Sequence, residues 1–399
     1  MMPLFKRRRI VYAALAIGVF IATTMVSLYI GFVRFDPYAI AASCEGVGNK
    51  PLCYTDQIND VMAKRGLSAA FDVVALVYES DPDFAGTCHS STHEIGKEAY
   101  RQFHETGEVE LSSNTWYCGY GFYHGFMEGL FVDTNDLDVA REFCSYVGEN
   151  VPHPPPPKFA EGSCYHGIGH GVTDGSDPRL WGDELRLVEP GLALCAKVAA
   201  GNLEWQSRCA SGVFNSLANM YFDPASTARV KPGKNPYTFC KESPFHEVDR
   251  ESCYNQMNTV AATLAEGDLQ KMLSYTTIVP TGPFRLSAVN GATSFYIQHL
   301  RFSKRYITPE ISNICASEKT ADLRRACITG IVAGIFEFGS PGMQYKEASG
   351  LCGAPALDES LRETCYYGVL ENAGFYYDKS QLRDACEIIP GQYHSAICE

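Results

Sequence analysis

The chain is poor in the signatures that usually announce a chemistry. No Cys-x-x-Cys occurs in its 399 residues, and the closest pair is Cys44 and Cys53. That excludes zinc ribbons, ferredoxin-type clusters and thioredoxin-type redox motifs. Gly-x-Ser-x-Gly, a Walker A loop and a Gly-x-Gly-x-x-Gly after a strand are missing, as is a haem-attaching Cys-x-x-Cys-His. Cations are outnumbered, 33 against 46 acidic residues, for a net charge of −13. A general basic field for nucleic acid is therefore absent, and no nucleic-acid partner is expected. There is no Asn-x-Ser/Thr sequon and only one long apolar run.

That run, Ile10 to Val33, is uncharged and long enough to span a bilayer. Lys6, Arg7, Arg8 and Arg9 precede it, and the positive-inside rule keeps them in the cytoplasm. The run exceeds an ordinary signal-peptide core, and Ala41-Ala42-Ser43-Cys44 is a poor lipobox. The expected organisation is a basic stub (1–9), a single-pass membrane anchor (10–33), a juxtamembrane segment with the first helices (34–87) and an exported cysteine-rich domain (88–399). All sixteen cysteines follow the anchor, on the periplasmic or extracellular side where disulfides persist.

The cysteines act as a ruler. From Cys144 they pair by spacing: 144/164, 195/209, 240/253, 315/327, 352/365 and 386/398. The first of each pair ends a helix-like apolar run and the second opens another. Cys118 and the second cysteines advance in steps of 33 to 46 residues once Ala288 is placed in the cysteine position of a unit that has lost its pair. Leu269 to Thr277 then supplies that unit's closing helix. Such a period marks a repeat array of helix pairs. A disulfide closing a loop of about 13 residues contributes roughly 3 kcal/mol in the chain-entropy model. Gly121, Gly167, Gly212, Gly330 and Gly368 each stand three residues after a cysteine. Glycine inside a helix costs about 1 kcal/mol against alanine, so its recurrence points to close backbone approach. The pairing of Cys44, Cys53, Cys88 and Cys118 is open, because Cys88 begins a helix where the rule wants one ending. Gly66 to Tyr78 reads as an early helix and Gly107 to Tyr117 as a short extended piece.

This layout resembles cysteine-rich Sel1-like arrays, in which disulfides staple helical hairpins. The Ala/Leu/Gly signature of that family is not reproduced, and the resemblance implies a fold and no function. The expected fold is all-α: a disulfide-stapled helical-hairpin repeat array, an α-solenoid or partly closed toroid, behind one transmembrane helix.

Five of the ten histidines fall in three segments within 88–171, each starting at a cysteine: His89 and His93, His124 with Glu128, and His166 with His170. In each, two ligand-type side chains stand at i and i+4, on one helix face. His124 and His170 share a register six residues after the cysteine, where later units carry Asn215, Thr259, Ser294, Ala333 and Glu371. Adjacent units would bring the three helices together, with Glu94 and Tyr123 as outer partners. Imidazole with carboxylate suits zinc, iron, copper or nickel, in a mono- or dinuclear site. The expected function is binding of a transition metal, with His89, His93, His124, Glu128, His166 and His170 as ligands. In an enzymatic version Glu128 is a ligand or the general base on metal-bound water. The alternative is a metal-free scaffold that takes a protein partner on the concave face of the array. Convergence of at least three imidazoles on one point would favour the metal.

Overall fold

The fold is taken from a computed structural model. It describes residues 36–399 except 86–87, 153–156, 175–181, 223–230, 303–306, 309, 341, 378 and 399. Helices α1 (Pro37–Ser43), α2 (Lys50–Arg65), α3 (Leu67–Ser80) and α4 (Pro82–Ala85) lead into α5 (Cys88–Thr106), α6 (Gly121–Asp133), α7 (Leu137–Asn150) and α8 (Pro157–Asp174). There follow α9 (Glu184–Val198), α10 (Leu203–Met220), α11 (Tyr237–Glu242), α12 (Glu247–Ala265), α13 (Leu269–Tyr275) and α14 (Pro283–Phe302). The chain ends with α15 (Glu310–Ala316), α16 (Ala321–Phe338), α17 (Gln344–Cys352), α18 (Glu359–Tyr376) and α19 (Lys379–Ile388). No strand occurs among the described residues. None of their helices is long and apolar enough to cross a membrane. The anchor expected over residues 10–33 lies outside them.

One row of long helices forms the inner layer: α5, α6, α8, α10, α12, α14, α16 and α18, each packed on the next. Helices α7, α9, α11, α13, α15 and α17 pack outside, each against the inner helix that follows it. The two ends of the row meet. Trp116 lies edge-on to Tyr376 with ring centres 5.7 Å apart, and Phe159 to Phe375 at 4.3 Å. The early helices share the core of the array, with Phe71 edge-on to Phe122.

All six spacing-derived disulfides form, together with Cys44–Cys53 and Cys88–Cys118, and no cysteine is free. One expectation is corrected. The second cysteine of a pair does not open its helix. Leu203, Glu247, Ala321 and Glu359 begin helices whose cysteines, 209, 253, 327 and 365, come six residues later. The starts are set by side-chain caps at Asn202, Thr320 and Asp358, which accept from the exposed N–H groups of the first turn. The extra turn also holds a device the sequence reading missed. Arg250, Arg324 and Arg362 stand three residues before a cysteine, and each donates to carbonyls of the preceding loop. Arg285 does the same in the unit without a disulfide, tying Thr277 and Val279 to α14. Gly66 to Tyr78 falls within α3 apart from its first residue. The piece from Gly107 to Tyr117, expected to be extended, forms no strand and ends in a 3-10 turn, Ser113–Trp116, capped by Ser112.

The glycine reading holds at four of the five positions. A Cβ at Gly121, Gly167, Gly212 or Gly330 would lie within 2.6 Å of a backbone carbonyl oxygen of the neighbouring inner helix. Gly368 meets only the Val332 side chain, at 3.6 Å. The tightest crossings flank the histidines: Gly125 would meet the His93 carbonyl oxygen at 1.9 Å, and Gly212 that of His166 at 1.9 Å. Backbone cannot yield as a side chain end can. Gly125→Ala should therefore destabilise the fold by about 2–3 kcal/mol. Gly350→Ala, in α17 with nothing within 4 Å of the added carbon, should be neutral or slightly stabilising. Urea denaturation of the two variants checks this; equal effects would contradict the packing account.

Candidate metal centre

The glycine crossings press α5, α6 and α8 together with their histidines between them. His124, on α6, is the middle ring. Its centre lies 5.1 Å from that of His89, 5.2 Å from His93, 4.9 Å from His166 and 4.4 Å from His170. Ligand atoms of His89, His93 and His124 lie within 4.8 Å of one another, as do those of His124, His166 and His170. A point within about 3 Å of three imidazole nitrogens therefore exists twice, and small rotamer adjustments reach the 2.0–2.1 Å of a Zn–N bond. The two triads share His124. The convergence expected of a metal centre is present for all five histidines.

The protonation pattern follows from their outer partners. His89 Nδ1 lies 2.7 Å from the carbonyl oxygen of Cys118, which only accepts, so Nδ1 carries the hydrogen and Nε2 the lone pair. That carbonyl is aimed by three successive left-handed residues, Cys118, Gly119 and Tyr120 (φ 61°, 64° and 60°). Such a conformation is costly for the two non-glycine residues. His93 Nδ1 lies 2.9 Å from Glu128 Oε1, whose other oxygen is 3.3 Å from the Lys97 ammonium. Burial acts to raise the Glu128 carboxyl. The His93 hydrogen bond and the charges of His93 and Lys97 outweigh it and hold the carboxyl at about 2. Glu128 is thus ionised, and His93 donates to it through Nδ1. His93 Nε2 and His89 Nε2 then face each other at 3.1 Å. Two lone pairs at that distance repel, unless a proton or a metal ion sits between them.

His170, 2% exposed, has Nδ1 at 2.9 Å from Ser216 Oγ and 3.5 Å from Asp174 Oδ2. The carboxylate favours a hydrogen on Nδ1, which leaves Nε2 as the lone pair. His170 Nε2 and His124 Nδ1 are buried with no hydrogen-bond partner among the described residues. Buried polar atoms are rarely left so, and a bound ion is one of the few explanations for such orphans. Burial, then the nearby imidazoles, depresses the proton affinity of three of the histidines. His89 falls to about 4, and His124 and His166 lie well below the ordinary histidine value. These three are neutral at pH 7, the form that binds metals.

Of the expected outer partners, Glu94 acts at one remove by holding Lys97, while Tyr123 turns away and bonds Thr115. Asp174 was missed although it stands four residues after His170. Ser216 has no signature in the sequence, since it belongs to the next unit and sits one residue beyond the shared register. His89, His124 and His166 also form one wall of a central cavity of 930 Å³. Asn215, Thr259, Ser294 and Ala333, the positions equivalent to His124 and His170, line the same cavity. Compared with protein-family models, curated proteins and solved structures, the chain finds no match.

The depressed histidines imply a pH window. Unfolded, each binds a proton near pH 6.5; folded, His89 binds one only near 4. Between those values the unfolded chain holds more protons, so stability falls as the pH drops from 6.5 towards 4. The ionised Glu128 adds a separate loss only below about 4.5. Thermal unfolding of chelator-treated protein should show the midpoint falling by several degrees from pH 7 to pH 5. His89→Gln should flatten that slope. A midpoint independent of pH over this range would contradict the buried-neutral assignment.

Proposed function

We propose that this chain is a membrane-anchored, extracytoplasmic protein that binds a transition metal, zinc, iron or copper, in a His-rich centre. Eight disulfides support the oxidising compartment, and the basic-then-apolar N-terminus supports the anchor. The array is read as a closed toroid whose inner face carries the centre. The observation that carries the metal reading is the arrangement of nitrogens. Cys118, Glu128 and Ser216 occupy Nδ1 of His89, His93 and His170, the free Nε2 atoms of His89 and His93 face each other at 3.1 Å, and both triads meet at His124. Outer partners that fix the tautomer and raise ligand basicity are what metal-binding histidines characteristically have.

In this reading His89, His93, His124, His166 and His170 are the ligands, with His124 common to both halves. Glu128 orients His93 and neutralises the charge that a dication brings. With its carboxyl held at about 2, it is a weak base for abstracting a proton at neutral pH, so an orienting role suits it better than general-base catalysis. Glu128 and Asp174 lie within 4.8 Å of His170, so either completes the coordination if the shell needs an oxygen. A metal open to the cavity would act there as a Lewis acid or lower the pKa of a bound water.

Elemental analysis of tag-free protein, purified without chelators, tests the proposal. One or two equivalents of a single transition metal are expected. A metal at a hundred times its dissociation constant should raise stability by about 2.7 kcal/mol. His124→Ala should lower metal retention at both halves together, whereas His166→Ala should spare the His89/His93 half. Protein that holds no stoichiometric metal, and gains no thermal stability from zinc, copper, iron or nickel, would overturn the reading.

A further inference from the structure

The central cavity carries charges that the metal reading does not use. Arg208 on α10 and Glu337 on α16 both line it. Both side chains keep exposed surface. Arg208 makes no hydrogen bond or ion pair among the described residues; its guanidinium lies 5.7 Å from the centre of the Phe159 ring. The other arginine of the wall, Arg301, is committed by contrast to Ser340 and Glu347. Glu337 is likewise without a hydrogen bond or counter-ion among the described residues. It shares its part of the wall with the rings of Tyr78, Tyr120 and Tyr376. Enclosure by the surrounding wall desolvates its carboxyl and pushes it up to about 7, with no cation to offset the shift. A protein that needed these two groups only for its own stability would pair them with each other. Here they face one lumen from two helices and stay apart.

The wall between them is built of amides. Asn215 and Asn219 on α10, Asn255 and Gln256 on α12, and Asn290 and Gln298 on α14 all reach the cavity. The first four are held in place by one another: Asn219 donates to Asn215, Asn215 to Gln256, and Gln256 to Ser211 and Asn255. The chain leaves hydrogen-bonding capacity over. The carbonyl oxygen of Asn219 and the amide hydrogens of Asn255 make no bond among the described residues. A primary amide presents a donor and an acceptor side by side, as a peptide unit does. Arg208 and Glu337 stand on either side of the lumen: the charges of both act on Tyr120, yet no cation acts on Glu337. A chain of a few residues, at most about 3.5 Å each, bridges them. The cavity volume suits such a molecule.

We infer that the chamber binds a short zwitterionic peptide, its carboxylate on Arg208, its ammonium on Glu337 among the tyrosine rings, and its peptide units on the amide arc. The guanidinium is the planar fork that matches a carboxylate, and an ammonium beside aromatic faces gains attraction from the rings as well as from the carboxylate. Nothing in the inference requires a metal.

Calorimetric titration of the full chain with trialanine, N-acetyl-trialanine and trialanine amide, in the presence of a chelator, tests it. In the parent protein, trialanine should bind, and blocking either end should weaken binding about tenfold or more. In Glu337→Gln the penalty for acetylation should vanish while that for amidation persists. In Arg208→Gln the pattern should reverse. Because each variant loses one penalty and keeps the other, a misfolded protein cannot imitate the result. The comparison of free and blocked peptides on the parent protein decides the matter even if a variant fails to fold. Absence of trialanine binding, or equal affinity for free and blocked peptides, would overturn the inference.

Discussion

At the crossings of α5, α6, α8 and α10 no side chain separates the backbones. Gly125 lies against the His93 carbonyl, Gly169 against that of Cys209, and Gly212 against that of His166. A methyl group at any of them would sit at about 2 Å from a carbonyl oxygen. Every other feature of the site depends on this contact. Helices held apart by ordinary side chains would leave the five imidazoles strung along a groove. Held at glycine contact, they are driven into one packed cluster with His124 at its centre. The disulfides and the recurring arginines serve the same end from the outside, because they fix each outer helix and its turn on the inner helix that follows.

The electrostatic consequence is a cluster under tension. Five imidazoles are crowded together around the buried His124 and His170, and His89, His124 and His166 do not take a proton readily. The Nδ1 atoms of His89, His93 and His170 are directed outward, to a strained carbonyl, an ionised carboxylate and a serine hydroxyl, and the lone pairs of His89 and His93 face each other. A structural network of histidines would alternate donors with acceptors. This one gathers acceptors, and an arrangement of that kind is stabilised by a cation. The same inner face continues past the histidines as a polar wall of amides with two unpaired charges. The histidine cluster and the amide wall thus line one cavity.

Much of this was legible in the sequence because cysteine and histidine are rare and their spacing is exact enough to count. The pairs from 144/164 to 386/398, the unit lacking a disulfide at Ala288 and the shared register of His124, His170 and Asn215 all follow from counting. Helix starts did not, because Asn202, Thr320 and Asp358 cap a turn earlier than the cysteine suggested. Gly368 shows that a repeated letter need not repeat its contact once the neighbouring helix presents a side chain. Ser216, the Cys118 carbonyl and the opposition of Arg208 to Glu337 were beyond reach. They depend on how one unit lies on another or on the closure of the row through Trp116 and Tyr376, which no local pattern encodes.

X-ray absorption at the edge of whichever metal the purified protein carries tests the central claim most directly. The account predicts a first shell of nitrogen and oxygen near 2.0–2.1 Å with no sulfur, since every cysteine is in a disulfide. It further predicts the outer-shell scattering of at least three imidazole rings about each absorber. A sulfur-containing shell, or a metal with no imidazole scattering, would contradict it.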